Sequence, residues 1–411
     1  MVSEPSFRAQ AGIYDFFFEE EQIAIRIDRL HQKGDALTGE IKVVTKQPGE
    51  DQLLHQARFN LLSTQSRNTL AKYLITRCDL LDWGGILEIV SILTVSSHRE
   101  GEPIIQVGND KIQTERRYRL YPLLLEKEAN LIYGPGGSGK STIASFIGII
   151  VQTNNNSCGM IPIQGNVLYL DYETSSTEIN DRVVKIKNGL SLKSDSLDYR
   201  FCSQALASEI EYIQRTVLDK GINLVIVDSV GGACGGEPES AEVVLRYFMA
   251  LRSLKITTLS IDHVTKAGDT KMPFGSVYKA NSARSIYELR KSQEAGEGWM
   301  DIGLYHRKCN VGRLQKPFGL RIDYFEDDHQ PSILFSRSDI REVPGLTEGL
   351  TLQDQIAAVL RHGPMTVAEI ASELNAQQAS VRARLNEHKN RFVKADVLGK
   401  KWGLLSKGLD I

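Results

Sequence analysis

No apolar run in these 411 residues reaches the length of about 20 that crosses a bilayer, so no membrane span is expected. Cysteine is scarce: Cys78, Cys158, Cys202, Cys234 and Cys309 stand singly, with no CxxC pair. That scatter argues against a disulfide framework and against a zinc site, and it suits a reducing cytoplasm. The opening "MVSEPSFRAQAG" has neither a basic start nor an apolar core, so a secretory leader is not expected. Neither sign of charge dominates, with 49 basic residues against 51 acidic ones. The whole chain is therefore no obvious polyanion binder, and charge has to be sought locally. No internal repeat or low-complexity tract is present. What remains is the composition of an ordinary globular protein, long enough for two or three domains.

Three compositional blocks follow one another. Residues 1–117 open with the alternating stretches "QIAIRIDRL" and "LTGEIKVV" around the turn-like "HQKGD", a predicted β-hairpin. Helical patterns follow in "SRNTLAKYLITRC" and "WGGILEIVSILTVSS", so a small α+β accessory or oligomerisation domain is expected. Residues 118–341 alternate apolar runs ("ANLIYG", "NVLYLDY", "NLVIVDS", "TTLSIDHV") with helical patterns such as "EIEYIQRTVLDK". This alternation predicts an α/β core, a mostly parallel sheet with helices on both faces. "WMDIGLYHRKCN" and "KPFGLRIDYF" read as a further strand pair. Residues 350–411 carry helical spacing at Ile356, Val359 and Leu360, at Val367, Ile370 and Leu374, and at Val381 and Leu385. Two strand-like pieces, "RFVKAD" and "KWGLLS", close the block. Three short helices and a hairpin make a winged helix-turn-helix pattern.

The stretch "LIYGPGGSGKSTIA" carries the clearest chemistry. Gly134 to Ser141 match GxxxxGK[ST] between a predicted strand and a predicted helix. Gly134, Gly136, Gly137, Ser138 and Gly139 form a loop whose backbone curls round phosphate and aims its N–H groups inward. The helix N-terminus that follows, with Lys140, Ser141 and Thr142, presents its positive end to the same charge. Lys140 is the cation for the β- and γ-phosphates, and Ser141 offers its hydroxyl to Mg²⁺. Such a site needs a carboxylate on the metal side, and Asp228 ends the apolar run "NLVIVD". It also needs a group to orient or deprotonate water. Asp171 and Glu173, two apart at the end of "NVLYLDYE", would face the same way if the strand persisted; Glu173 is the preferred base and Asp171 the alternative.

The loop, "LYLDYE", "LVIVDS" and "SIDHVTK" occur in an order that resembles RecA-like P-loop ATPases. More closely, they resemble the RepA-type hexameric plasmid helicases and the related ATPases of phages and mobile elements. The resemblance covers about half the chain, the middle block. It implies ATP with Mg²⁺, a cytoplasmic homo-oligomeric ring, and His263 as the sensor of the γ-phosphate. It also implies that "GSVYKANSARSIYELR" holds an arginine finger at Arg284, serving the neighbouring subunit's site. "HRKCNVG" resembles a lysine-asparagine element, with Lys308 and Asn310. Arg290, Arg307 and Lys308 stay open as alternatives to Arg284.

Two segments point to nucleic acid. The resemblance implies that the loops after the central strands grip single-stranded DNA. Lys266, Lys271 and Lys279, near Phe274 and Tyr278, suit phosphates and stacked bases, though a solvated loop has the same composition. In the last block Arg382 and Arg384 on the candidate recognition helix, and Lys400 and Lys401 at the hairpin tip, suit duplex DNA. Winged helices also dock proteins, so that alternative stands. The expectation is an ATP-driven DNA helicase or translocase acting in replication of a mobile element. The rivals are a filament-forming recombination ATPase and a non-motor regulator that switches a DNA binder.

Overall fold

The structure is a computed structural model that describes residues 2–405 apart from 11, 48–49, 102–103, 105, 109–117, 194–195, 238, 265–276, 328–329, 344 and 397. The chain divides into two compact units, one of Met1–Thr114 with Ile210–Asp219, the other of Glu115–Glu209 with Lys220–Ile411.

In the first unit, strands β1 (Ser6–Gln10), β2 (Ile13–Phe18), β3 (Ile23–Lys33), β4 (Ala36–Gln47) and β5 (Glu50–Asn60) form an antiparallel meander in chain order. The two alternating stretches read from the sequence are β3 and β4. Their period of two puts Ile23, Ile25 and Ile27 on one face opposite Ile41 and Val43. Helices α1 (Thr64–Ile75) and α2 (Trp83–Glu100) cover that face with Leu70, Leu74, Trp83, Ile86 and Val90. Each helix starts at a side-chain cap, Ser63 and Asp82, a device worth about 1 kcal/mol. Truncating the fully buried Ile27 to Ala would cost about 2–5 kcal/mol.

The second unit contains a short ribbon of β6 (Tyr118–Tyr121), β7 (Leu124–Leu125) and a later strand. Then come β8 (Ala129–Gly134), α3 (Lys140–Thr153), the ribbon's β9 (Ile161–Pro162), β10 (Asn166–Asp171), α4 (Ser176–Gly189) and β11 (Asp198–Phe201). Helix α5 (Ile210–Asp219) groups with the first unit, and β12 (Ile222–Asp228) returns to the second. The short α6 (Val230–Cys234), α7 (Ala241–Ser253), β13 (Thr257–His263) and α8 (Val277–Ser282) follow. The remaining strands are β14 (Ser285–Ser292), β15 (Trp299–Cys309), β16 (Phe318–Phe325) and β17 (Ser332–Ser338).

These make a nine-stranded sheet ordered β11-β10-β12-β13-β8-β14-β15-β16-β17. It is parallel from β11 to β14 and antiparallel beyond. The central strands are apolar throughout because both faces are covered. Helix α3 is buried over most of its length, and Phe146 stacks on Phe335 of β17 with centroids 3.8 Å apart. The first strand in sequence thus lies in the middle, and the carboxyl ends of β8, β10, β12 and β13 share one edge, where α/β sheets bind ligands.

The last segment folds as α9 (Leu352–Val359), β18 (Met365–Thr366), α10 (Val367–Glu373), α11 (Gln378–Glu387), β19 (Phe392–Lys394) and β20 (Lys401–Leu404). Ile356, Leu360, Ile370, Val381, Leu385, Phe392 and Trp402 are its core. Thr366 and Glu369 form a reciprocal capping box that starts α10.

Candidate functional site

The phosphate loop joins β8 to α3. Gly137 and Gly139 have φ of +64° and +85°, the left-handed region where a side chain is strained. At Gly134 the constraint is different: a Cβ would lie 2.5 Å from the carbonyl oxygen of Leu289. Gly136 has neither constraint, since open space surrounds its missing Cβ and its φ is ordinary. Steric crowding therefore does not explain every glycine of the motif. Lys140 is buried and donates to the carbonyls of Gly134 (3.0 Å) and Pro135 (2.7 Å). Burial pushes its pKa down, while the carboxylates of Glu173, Asp228 and Asp262 oppose that shift. The Ser138 hydroxyl is buried without a hydrogen-bond partner among the described residues.

Asp228 ends β12 and is buried. The Tyr169 hydroxyl donates to its Oδ2 at 2.6 Å, whereas Oδ1 has no hydrogen-bond partner among the described residues. Burial raises its pKa, against Tyr169 and Ser141, which lower it. An orphaned carboxylate oxygen beside a hydroxyl fits a hard cation that keeps most of its waters, so Ser141 and Asp228 suit Mg²⁺. No cluster of three or more His, Cys, Asp or Glu residues that would hold a metal occurs among the described residues.

Strand β10 stops at Asp171, so the alternation that would have aligned Asp171 with Glu173 does not extend to Glu173. The two carboxylates differ in their surroundings. Asp171 is fully buried and accepts from the backbone of Glu173 (2.9 Å) and Thr174 (3.0 Å), from the Thr174 hydroxyl (2.7 Å) and from Tyr199 (3.0 Å). It builds the turn. Glu173 is half-exposed, accepts from the Ser229 hydroxyl, and lies 3.1 Å from His263 Nε2. The hydrogen bond from His263 lowers its pKa most; burial raises it and Ser229 lowers it further.

His263 ends β13, and its backbone N–H donates to Asp262 Oδ1 at 2.9 Å. Asp262 is buried and pairs with Lys279 at 2.9 and 3.2 Å. This corrects one expectation. Lys279 lies in the interior on α8, with its ammonium already committed to Asp262, and is not a surface cation for DNA. Lys266, Lys271 and Phe274 lie outside the described residues.

Arg284 sits at the opposite end of the sheet. Its neighbour Ser285 pairs with Asn130, four residues before Gly134, or about 13 Å along the strand from the phosphate loop. Its nearest acid is Glu128, at 3.8 Å. The rivals are more firmly held within the chain. Arg290 and Arg307 both bind Glu288, at 2.6 and 2.7 Å. Lys308 donates to the carbonyls of Ala280, Asn281 and Ala283.

Ser229, Asp262 and Arg182 carried no expectation. Arg182 of α4 is largely buried, and its charge is felt by Asp228 and Tyr169. The available signal was its place nine residues after Glu173, on the helix that follows the acidic turn.

In the last segment Val381 and Leu385 are buried and Arg382 and Arg384 exposed on α11, with Arg384 2.5 Å from Glu387. Lys400 and Lys401 are exposed where β20 begins.

A family model described as an AAA domain matches residues 102–269, the stretch with the phosphate loop and the ends of β10, β12 and β13. Over this stretch the central block is similar to an AAA domain. Among solved structures, a KaiC-like protein of the hyperthermophilic archaeon Pyrococcus horikoshii OT3 is similar at 16% identity, with 53% of this chain and 98% of that one covered and a TM-score of 0.36. No curated protein matches the chain. No helix among the described residues is long and apolar enough to cross a membrane.

Proposed function

We propose that the chain is an ATP-driven DNA motor, a helicase or translocase that works as a ring of identical subunits. The observation that carries this reading is the carboxylate of Glu173, held by Ser229 and His263 at the sheet edge that bears the phosphate loop. Lys140 releases its loop carbonyls and takes up the charge of the β- and γ-phosphates. Ser141 and Asp228 would hold Mg²⁺, which supplies charge neutralisation at the phosphates when bound. Water attacks the γ-phosphorus; its proton passes to the Glu173 carboxylate, and the bond to the ADP oxygen breaks.

His263 connects that carboxylate to the end of β13, and through Asp262 and Lys279 to the helix on the far side of residues 265–276. This gives hydrolysis a route to the segment proposed to touch single-stranded DNA. Arg284 is too far from its own phosphate loop, so it serves the site of a neighbouring subunit. The last segment, read as a winged helix, brings Arg382, Arg384, Lys400 and Lys401 to duplex DNA. Mobile-element replication is the setting that the resemblance suggests.

The test measures ATP hydrolysis with and without single-stranded DNA, on a preparation whose mass is determined. A DNA-stimulated multimer supports the motor. A second reading has its own support: Arg361 ties the last segment to Asp339 (3.2 Å) and Glu342 (3.7 Å), a contact that nucleotide state can make or break. That regulator would hydrolyse ATP at a rate indifferent to single-stranded DNA.

A further inference from the structure

The meander of the first unit has two faces, and α1 and α2 cover one of them. Phe16 and Phe18 of β2, Ile23 and Ile25 of β3 and Val43 of β4 point into that core. By the period of two, Phe17, Ala24 and Val44 face the other way. The register sets them in a row that Leu53 of β5 completes: Phe17 opposite Ala24, Ala24 opposite Val44, Val44 opposite Leu53. None of the four is buried, and Leu53 is 52% exposed. The row crosses four strands, about 14 Å at the usual spacing. An exposed apolar strip with a polar rim marks an interaction surface.

The rim is cationic. The next row on this face runs Arg8, Asp15, Arg26 and Lys42, across β1 to β4. Lys46, two residues beyond Val44, stands on the other side of the strip and lines the same groove, as does Asp219 of α5. Both carboxylates are committed to one cation: Arg26 binds Asp15 at 2.6 Å and Asp219 at 2.7 Å. Four cations against two carboxylates leave the groove positive, on a chain whose net charge is −2. Arg8 and Lys42 are exposed.

We infer that this face binds single-stranded nucleic acid, with bases laid on the strip from Phe17 to Leu53 and phosphates on Arg8, Lys42 and Lys46. An apolar, partly aromatic floor between cations matches an unpaired strand, whose bases offer flat faces and whose backbone carries a charge at every nucleotide. The strip has room for two or three bases, the number that sheet-based RNA binders stack on a four-stranded face. A duplex keeps its bases stacked inside and would leave the strip uncovered. An extended acidic peptide would add to an edge strand, where backbone groups are unpaired. Phe17 and Lys42 stand instead on β2 and β4, inside the sheet. The inference is independent of ATP hydrolysis and of the loops after the central strands.

The experiment follows the anisotropy of a fluorescein-labelled oligothymidylate of about 20 nucleotides, long enough for one such site, on the full chain without ATP and across a range of salt. Wild type is compared with the double variant Arg8→Gln, Lys42→Gln and with Phe17→Leu, and circular dichroism checks the fold. The double variant should bind more weakly, and its slope of log affinity against log salt should shrink by about 1.4, the value for two phosphates of a single strand. Phe17→Leu should weaken binding about 5- to 100-fold and leave the slope as it is. Should a variant not fold, the wild-type chain carries the test: an oligonucleotide bearing iodouracil is photo-cross-linked, and mass spectrometry should find the adduct on β2, β3 or β4. Absence of binding by wild type, unchanged affinity and slope in the folded variants, or adducts confined to the second unit overturn the inference. So does an oligoglutamate peptide that displaces the strand at equal concentration, which would make the face a dock for acidic protein. Because no nucleotide is present, failure here leaves the ATPase reading standing, and failure of that reading leaves this one.

Discussion

Replacing Lys279 by Met tests whether the ion pair behind His263 is as dry as its geometry implies. Both partners are almost fully buried, with side-chain exposures of 1% and 3%. Methionine keeps the length of the side chain and removes the charge, leaving the Asp262 carboxylate buried alone. The variant has a way out: Asp262 takes up a proton. Bringing a carboxyl of ordinary pKa near 3.9 to the neutral form at pH 7 costs about 4 kcal/mol, which is the ceiling on the damage. Burial already pushes Asp262 up in the wild type, and Lys279 is the main force holding it down.

With Lys279 gone, Asp262 is protonated when folded and ionised when unfolded across the window from about pH 4 to 7. The folded state then binds the extra proton, so stability falls as pH rises, by about 1.4 kcal/mol per unit. Urea unfolding should show a loss of about 4 kcal/mol at pH 7 and less than about 2 kcal/mol at pH 5. Adding Asp262→Asn should recover most of the loss at pH 7, because no charge is then left to bury. A loss that is the same at pH 5 and pH 7, or below about 1 kcal/mol throughout, refutes the picture of a desolvated pair.

Glu173→Gln should still bind Mg²⁺–ATP while turnover falls about a hundredfold or more, and normal turnover would move the base elsewhere. Because His263 and Ser229 hold the Glu173 carboxyl below its usual range, the wild-type rate should persist as pH falls to the ordinary glutamate range and decline only beneath it; a decline beginning near pH 6 would contradict this. Arg284→Ala and Glu173→Gln protomers, each impaired alone, should regain part of the activity when mixed; no recovery in a verified mixed assembly would place the finger within one chain or on another residue. Removing the charges of Arg382 and Lys400 should weaken duplex binding and flatten its salt dependence by about two counterions while basal hydrolysis stays; unchanged duplex binding would leave the last segment as a protein-docking module.

The phosphate loop was legible because phosphate binding is solved locally, by eight consecutive residues between a strand and a helix. Asp228 was legible for a similar reason: a carboxylate at the end of an apolar strand has few other purposes. The choice between Asp171 and Glu173 was open in the sequence, because it depends on where β10 stops and on Thr174 and Tyr199, which occupy Asp171. Lys279 was misread because a lysine close to aromatics looks the same whether it faces solvent or a buried acid. Its partner is 17 residues away across a strand end, and local pattern carries no trace of that. Arg182 escaped notice because its meaning depends on which face of α4 meets α3. In the first unit the β3–β4 hairpin and the two helices were read. Strands β1, β2 and β5 lack a clean alternation, and they become strands by pairing with neighbours.

The assignment of α5 to the first unit has a consequence for synthesis. Asp28 is a buried carboxylate, and its ion-pair partner among the described residues is Arg215; Arg26 likewise pairs with Asp219 at 2.7 Å. Both partners lie on α5, which the ribosome makes after β8, β10 and β11. A domain made first normally folds first. Here the amino-terminal meander waits for about a hundred more residues, roughly 5–20 s at ordinary elongation rates, before its charges are matched. Over that interval the phosphate loop and the turn bearing Glu173 are already made, while Asp228 is not. The meander's charges are therefore matched before the catalytic edge is complete, since Asp228 and then His263 are made later, and a chain that stalls before residue 219 has neither.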